Sequence, residues 1–157
     1  MLKKIITLLL TVVAIYVATS IFAFLLSIVV NTVRDYDPKL WLLIMPLLVV
    51  GFLMMIYLFD LGRFLRIFIY TNIGLGLKSI LLTLYYDLCN IEWNHTATTR
   101  NLTVFILVLT ALLVVLIYKK KGLKINEIAL AMVSVVVFEV AARDEYLSIV
   151  FFLNRLF

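Results

Sequence analysis

The sequence begins with an apolar stretch long enough to cross a lipid bilayer. After Lys3 and Lys4, residues 5–30 read IITLLLTVVAIYVATSIFAFLLSIVV, a run of 26 residues without a charge. About 20 such residues are enough for an α-helix to span the hydrocarbon core. A signal peptide also starts with basic residues, but its apolar region is only about 7 to 15 residues long. We therefore expect residues 5–30 to form a retained membrane span.

Four further apolar runs predict four more spans, over residues 40–59, 67–86, 102–118 and 125–142. The composition agrees, because 66% of the residues are hydrophobic and the mean hydropathy is +1.19, well above soluble domains. Lipid tolerates only helices or closed barrels, and these runs are too long and too uniformly apolar for barrel strands. The predicted fold class is all-α, a polytopic transmembrane bundle of about five spans.

Little of the chain lies outside these runs, so we expect residues 1–157 to form a single transmembrane domain. The last apolar segment, residues 146–157, is too short to cross the bilayer again. It either lies at the membrane interface or extends the fifth span into one long tilted helix, since tilt can absorb the excess length.

The basic residues predict an orientation for the bundle. Eight Lys and Arg residues flank the spans on the amino-terminal side, against five on the opposite side. We expect a protein of the cell membrane. The positive-inside rule then predicts a cytoplasmic amino terminus and an external loop at residues 87–101. Because the charges flank apolar runs, the net charge of +5 does not indicate nucleic-acid binding. The eight are Lys3, Lys4, Arg63, Arg66, Lys119, Lys120, Lys121 and Lys124.

Two acceptor triplets for N-glycosylation fall at this predicted external loop. They begin at Asn94 and Asn101, and Asn94 is the better candidate because Asn101 abuts a span. Such triplets also arise by chance, so an unmodified polar loop is the alternative.

Few residues suggest catalysis or metal binding. Asp87, Cys89, Glu92 and His95 are ligand types for transition metals, but their spacing matches no established pattern, and a surface loop is the favoured interpretation. One histidine and one cysteine cannot supply a bis-histidine haem or a cysteine-ligated iron–sulfur cluster. No phosphate loop or nucleophile motif occurs. We expect no enzyme activity, no cofactor and no metal.

Lys78 is the most unusual residue of the sequence, because it lies well inside the third span. Ionisable residues at this depth are expensive and are paired or functional. Lys78 lies about 18 Å above the cytoplasmic end of its span, and Glu139 lies about 21 Å above that of the fifth. The two depths predict an intramembrane charge pair. Alternatively, Glu139, Arg143 and Asp144 form a charge cluster at the outer end of the fifth span.

The third span also carries small and polar residues on one face, away from Lys78. Small residues of this kind permit close packing of membrane helices, and helix packing is the favoured interpretation over a solute path. The residues of this stripe are Asn72, Gly76, Ser79 and Thr83.

Residues 64–82, FLRIFIYTNIGLGLKSILL, resemble a segment of the phosphate-starvation-inducible E (PsiE) family. The resemblance rests on a Leu-Arg-aromatic start at Arg66 and a second basic residue at Lys78. The family has four spans where five are predicted here, and Asp60 lies closer to the basic pair than the family's acid does. Because the family has no established reaction or ligand, the resemblance implies only a small polytopic membrane protein.

Two functions agree with this sequence. In the first, the chain is a non-catalytic accessory or structural subunit of a larger membrane protein complex, with lipid and other subunits as its partners. In the second, it is a small transporter or ion-conducting protomer that uses Lys78 and Glu139. We favour the first, because the sequence has no extramembrane domain and no cofactor ligands.

Overall fold

The protein forms a bundle of α-helices, seen in a computed structural model that describes residues 2–36, 41–89, 97–143 and 148–156. Every regular element in those residues is helical, which confirms the predicted all-α class. The elements are α1 (Leu2–Tyr36), α2 (Trp41–Leu58), α3 (Arg63–Leu88), α4 (Ala97–Lys121), α5 (Ile125–Ala142) and α6 (Ile149–Leu156).

Four of these helices, α1, α3, α4 and α5, contain segments long and apolar enough to cross a membrane. The apolar α2 is 18 residues long. The outward faces carry large apolar side chains, for example Leu9 on α1, Leu112 on α4 and Val136 on α5, which are more than half exposed in the isolated chain. A surface of this kind suits lipid rather than water. The chain is therefore a small helical membrane protein.

Several helices extend beyond the predicted spans. The first has 35 residues against the 26 of the apolar run, because helical hydrogen bonding continues through polar flanking residues. At the carboxyl end of α4, three lysines add a turn where the helix dipole favours cations. The predicted loop at residues 87–101 is wrong in its bounds, since α3 runs to Leu88 and α4 begins at Ala97. Asn101 is therefore helical.

The end of α5 decides between the two expectations for the carboxyl-terminal segment. The helix ends at Ala142, with Arg143 in the capping position, and Ile149–Leu156 forms the separate helix α6. Of the two alternatives, the extension of the fifth span into one long helix is therefore wrong, and the interfacial position stays a prediction. The short α6 packs against α1 and α5, and the backbone N–H of Ile149 donates to the hydroxyl of Tyr16 at 3.4 Å.

The helices form a layered arrangement in which α3 contacts four neighbours. It packs extensively on α2 and α5, and also touches α1 and α4. Beyond these contacts, α4 lies mainly on α2, and α1 lies against α5 and α3. Polar contacts between α3, α4, α5 and the carboxyl end of α2 occur at the end of the bundle that carries the eight basic residues, which we call the basic end.

Two apolar clusters hold these layers together. The larger joins α2, α3 and α4, and the smaller joins α1, α3 and α5. The larger cluster consists of Val49, Leu53, Ile56, Ile69, Ile73, Ile80, Ile106, Leu113 and Ile117. The smaller consists of Ile15, Ile67, Leu130 and Ala131. The third helix thus contributes to both clusters and positions the polar residues described below.

Candidate functional site

Lys78 and Glu139 form an ion pair between α3 and α5. The ammonium of Lys78 contacts Oε2 of Glu139. The Lys78 side chain is nevertheless 47% exposed and that of Glu139 is 30% exposed. The pair therefore lies at the outer surface of the bundle, within the membrane-spanning length of α3, and only Glu139 also reaches the interior.

The described residues do not show the alternative charge cluster of Glu139 with Arg143 at the end of α5. Glu139 pairs with Lys78, and the two ion pairs found in the described part of the chain do not include Arg143. The backbone N–H of Arg143 instead caps α5 through the carbonyls of Val140 and Ala141. Asp144 lies outside the described residues.

A second ion pair, which the sequence did not predict, lies at the basic end. Arg66 donates from Nε to Oε2 of Glu127 at 2.8 Å and from a terminal nitrogen to Oε1 at 2.8 Å. The side chains are 19% and 5% exposed. The guanidinium also donates to the carbonyl oxygen of Leu61 in the turn before α3. One side chain therefore fixes α3, the α2–α3 turn and the start of α5.

Arg66 is one of the basic residues that predict the orientation, and its pairing with Glu127 is not among the predictions from the sequence. A usable signal existed in the sequence. Glu127 falls in the first turn of α5 and Arg66 in the first turn of α3, so both lie at the same end of the bundle. The helix dipole already favours an acid in a first turn, so the position of Glu127 alone does not indicate a cross-helix partner.

Lysines of α4 bind the carboxyl end of α2 at the same level. Lys120 donates to the carbonyl oxygen of Tyr57 at 3.3 Å, and its Nζ lies 4.1 Å from the centre of the Tyr57 ring. Lys121 donates to the carbonyl oxygen of Phe59. The last carbonyls of a helix have no partner within the helix, so these ammonium groups satisfy them and complement the negative dipole end. Two of the predicted topology residues therefore also fasten α4 to α2.

The predicted packing stripe of α3 faces its neighbours. A Cβ added to Gly76 would lie 2.4 Å from Cγ2 of Val49 on α2, so the two helices approach as closely as glycine permits. Asn72 is buried and donates to the carbonyl oxygen of Phe68 at 2.8 Å. Ser79 and Thr83 are half-buried. The stripe therefore brings α2 close to α3.

A cavity of about 160 Å³ lies beside the stripe, between α1, α2, α3 and α5. Apolar side chains form most of its wall, but Thr19, Asn72, Ser79 and Glu139 also line it. Thr19 is 1% exposed, and its hydroxyl has no hydrogen-bond partner among the described residues. A cavity of this volume with several polar groups can hold several water molecules or a small polar solute.

The other predicted sites fall mostly outside the described residues. Asn94, the glycosylation candidate, lies there, as do Glu92 and His95 of the metal alternative. Of that alternative, Asp87 falls in the last turn of α3 and Cys89 is exposed just after it.

No protein family, curated protein or solved structure matches this chain. The resemblance to the PsiE family therefore stays a prediction, and the functional argument rests on the geometry above.

Proposed function

We propose that the protein is a non-catalytic subunit of a larger membrane assembly, and that a neighbouring subunit covers the Lys78–Glu139 pair. The observation that carries the proposal is the exposure of this pair on the outside of the bundle. Charged residues within membrane spans usually face the bundle interior or a water-filled cavity. Glu139 pairs with one side of the half-exposed ammonium group, and a polar group of a neighbouring subunit would cover the side that stays exposed.

The surroundings of Lys78 support a helix as the covering element. Leu81 and Leu82, on the same side of α3, are 54% and 46% exposed. Together with Lys78 they form an apolar surface with one polar point, which we call the Lys78 face. Membrane helices associate by close packing around such polar points, because a hydrogen bond there has no competing water. The proposed partner is therefore a transmembrane helix with a hydrogen-bond acceptor at this depth.

Co-purification from the source membrane tests the proposal. The tagged chain should elute in mild detergent with other polypeptides in fixed stoichiometry, and Lys78→Met combined with Glu139→Gln should weaken this association. Lys119→Gln removes a charge from an exposed site at the basic end and is the matched control. Recovery of the chain alone in every preparation would contradict the subunit proposal.

A second candidate function, a small transporter or ion-conducting protomer, is supported by the cavity. Glu139 lines the cavity as well as pairing with Lys78, and Thr19 contributes a buried hydroxyl without a partner among the described residues. Intramembrane acids next to polar cavities are typical of ion and proton paths. Proton or cation flux in liposomes that falls with both Glu139→Gln and Thr19→Val would favour this candidate. Flux unchanged by either substitution would contradict it.

A further inference from the structure

We propose that the basic end binds one anionic phospholipid in a groove between α1, α3 and α5. The groove has a volume of about 740 Å³ and is lined by Lys3, Lys4, Thr7, Leu8 and Thr11 of α1 with Arg63 of α3. The amide side chain of Asn126, near the start of α5, completes the wall. We call this site the basic groove. It is separate from the Lys78 face and does not depend on the proposed subunit role.

The positive charge of the basic groove favours binding of an anion. Lys3, Lys4 and Arg63 are exposed, and the ion pairs of the described residues use other cations. The helices α1, α3 and α5 all begin at this end, so their positive dipole ends add to the charge. Two acids of the described residues lie near this end of the bundle: Glu127, which is held by Arg66, and Asp60, which lines a different pocket beside Arg66. The described residues that line the groove itself include three cations and no acid, so the groove is positive.

The hydroxyl groups in the groove donate their hydrogen bonds within α1 and not to a bound anion. Thr7 donates to the carbonyl oxygen of Lys3 at 2.9 Å, and Thr11 donates to that of Thr7 at 2.8 Å. Both hydroxyl hydrogens are thus used within α1. A bound anion would be held by the ammonium and guanidinium groups and by the Asn126 amide.

The shape of the groove favours a lipid over a soluble anion. Leu8 lines the groove one turn deeper than Lys4 and is 46% exposed. Cations therefore lie at the terminus and apolar surface lies about one turn deeper. A phospholipid has the same order, with its phosphate at the interface and its acyl chains in the hydrocarbon core. Basic residues beside a span strengthen binding to an anionic membrane surface.

Lipid retention by the purified full chain tests the proposal. In a non-ionic detergent, native mass spectrometry would compare phosphatidylglycerol with phosphatidylcholine of the same acyl chains. We expect phosphatidylglycerol to be retained more strongly, and Arg63→Gln to weaken this retention about fivefold, the equivalent of about 1 kcal/mol. Lys119→Gln removes the same charge from α4 at the same end and should leave retention within about twofold of the unchanged protein.

Three outcomes would overturn the proposal. The first two are equal retention of the two lipids and equal weakening of retention by Arg63→Gln and Lys119→Gln. The third is a rise in the unfolding temperature with soluble glycerophosphate that equals the rise with phosphatidylglycerol. The last result would assign the groove to a free anion. Thermal unfolding without lipid checks that Arg63→Gln still folds. If it does not, Lys3→Gln combined with Lys4→Gln tests the same groove from the exposed end of α1, and unchanged retention in that variant would also overturn the proposal.

Discussion

Arg66 and Glu127 are joined by two parallel hydrogen bonds of 2.8 Å between the first turns of α3 and α5. The planar guanidinium matches the carboxylate, and the same group also reaches the carbonyl oxygen of Leu61. A lysine keeps the charge but cannot form this pattern, so Arg66→Lys should lower stability. Removal of one member of a buried pair costs about 3 to 5 kcal/mol, and because lysine keeps the charge and Arg66 is partly exposed, the expected loss for Arg66→Lys is smaller than this.

Thermal unfolding in detergent would measure this loss, with Arg63→Lys as the matched control. Arg63 lies one turn earlier on α3 and is exposed, so its replacement should change the midpoint little. Equal midpoints for the two variants would show that the contacts between Arg66 and Glu127 do not stabilise the fold.

Lys78 and Glu139 should behave as a coupled pair in a double-mutant cycle. An isolated charge deep in the membrane costs about 2.5 to 3.5 kcal/mol, and each single substitution leaves one charge without its partner. Lys78→Met and Glu139→Gln together should therefore be tolerated better than the sum of the single effects, with a coupling of about 0.5 to 3 kcal/mol. Unfolding midpoints of the four proteins give the coupling. Strictly additive effects would mean that the two side chains do not interact in the membrane.

Gly76 should resist even the smallest substitution. An added Cβ would lie 2.4 Å from Cγ2 of Val49, a side chain only 1% exposed, so Gly76→Ala should separate α2 from α3 and destabilise the protein by about 1 to 3 kcal/mol. Gly51→Ala is the control, because nothing lies within 4 Å of the added atom and alanine favours the helix. Adding Val49→Ala to Gly76→Ala should restore part of the loss. A fully stable Gly76→Ala protein would contradict the close approach.

The orientation is testable because the chain has one cysteine. Cys89 is exposed at the end of α3 opposite the basic end. We propose that the basic end faces the cytoplasm, so an impermeant maleimide should label Cys89 in intact cells. Labelling that requires opened cells would indicate the reverse orientation.

The positions of the helices could be predicted from the sequence because hydropathy reports directly on membrane spans. Helix ends could not, since polar residues such as Asn101 continue helical hydrogen bonding beyond the apolar run. Depth along the helices predicted that Lys78 and Glu139 lie level, and the structure brings them together. Depth does not reveal which sides of two helices face each other, so the Arg66–Glu127 pair depends on how α5 packs on α3.

The side of α3 on which Lys78 lies shows the same limit. Helical periodicity separated Lys78 from the small-residue stripe of Gly76. It did not show that Lys78 would be 47% exposed at the bundle surface while Glu139 also lines a cavity. Exposure depends on how all neighbouring helices pack, which no local pattern contains.

Site-specific photo-crosslinking in the source membrane tests most directly whether a second subunit covers the Lys78 face. A photoreactive residue at Leu82, one turn from Lys78 and 46% exposed, should give a product of discrete higher mass with another polypeptide. The same residue at Leu112 on α4, which is 57% exposed, is the control and should react mainly with lipid. We expect a protein adduct at Leu82 that decreases with Lys78→Met, whereas lipid adducts alone at both positions would contradict a covering subunit.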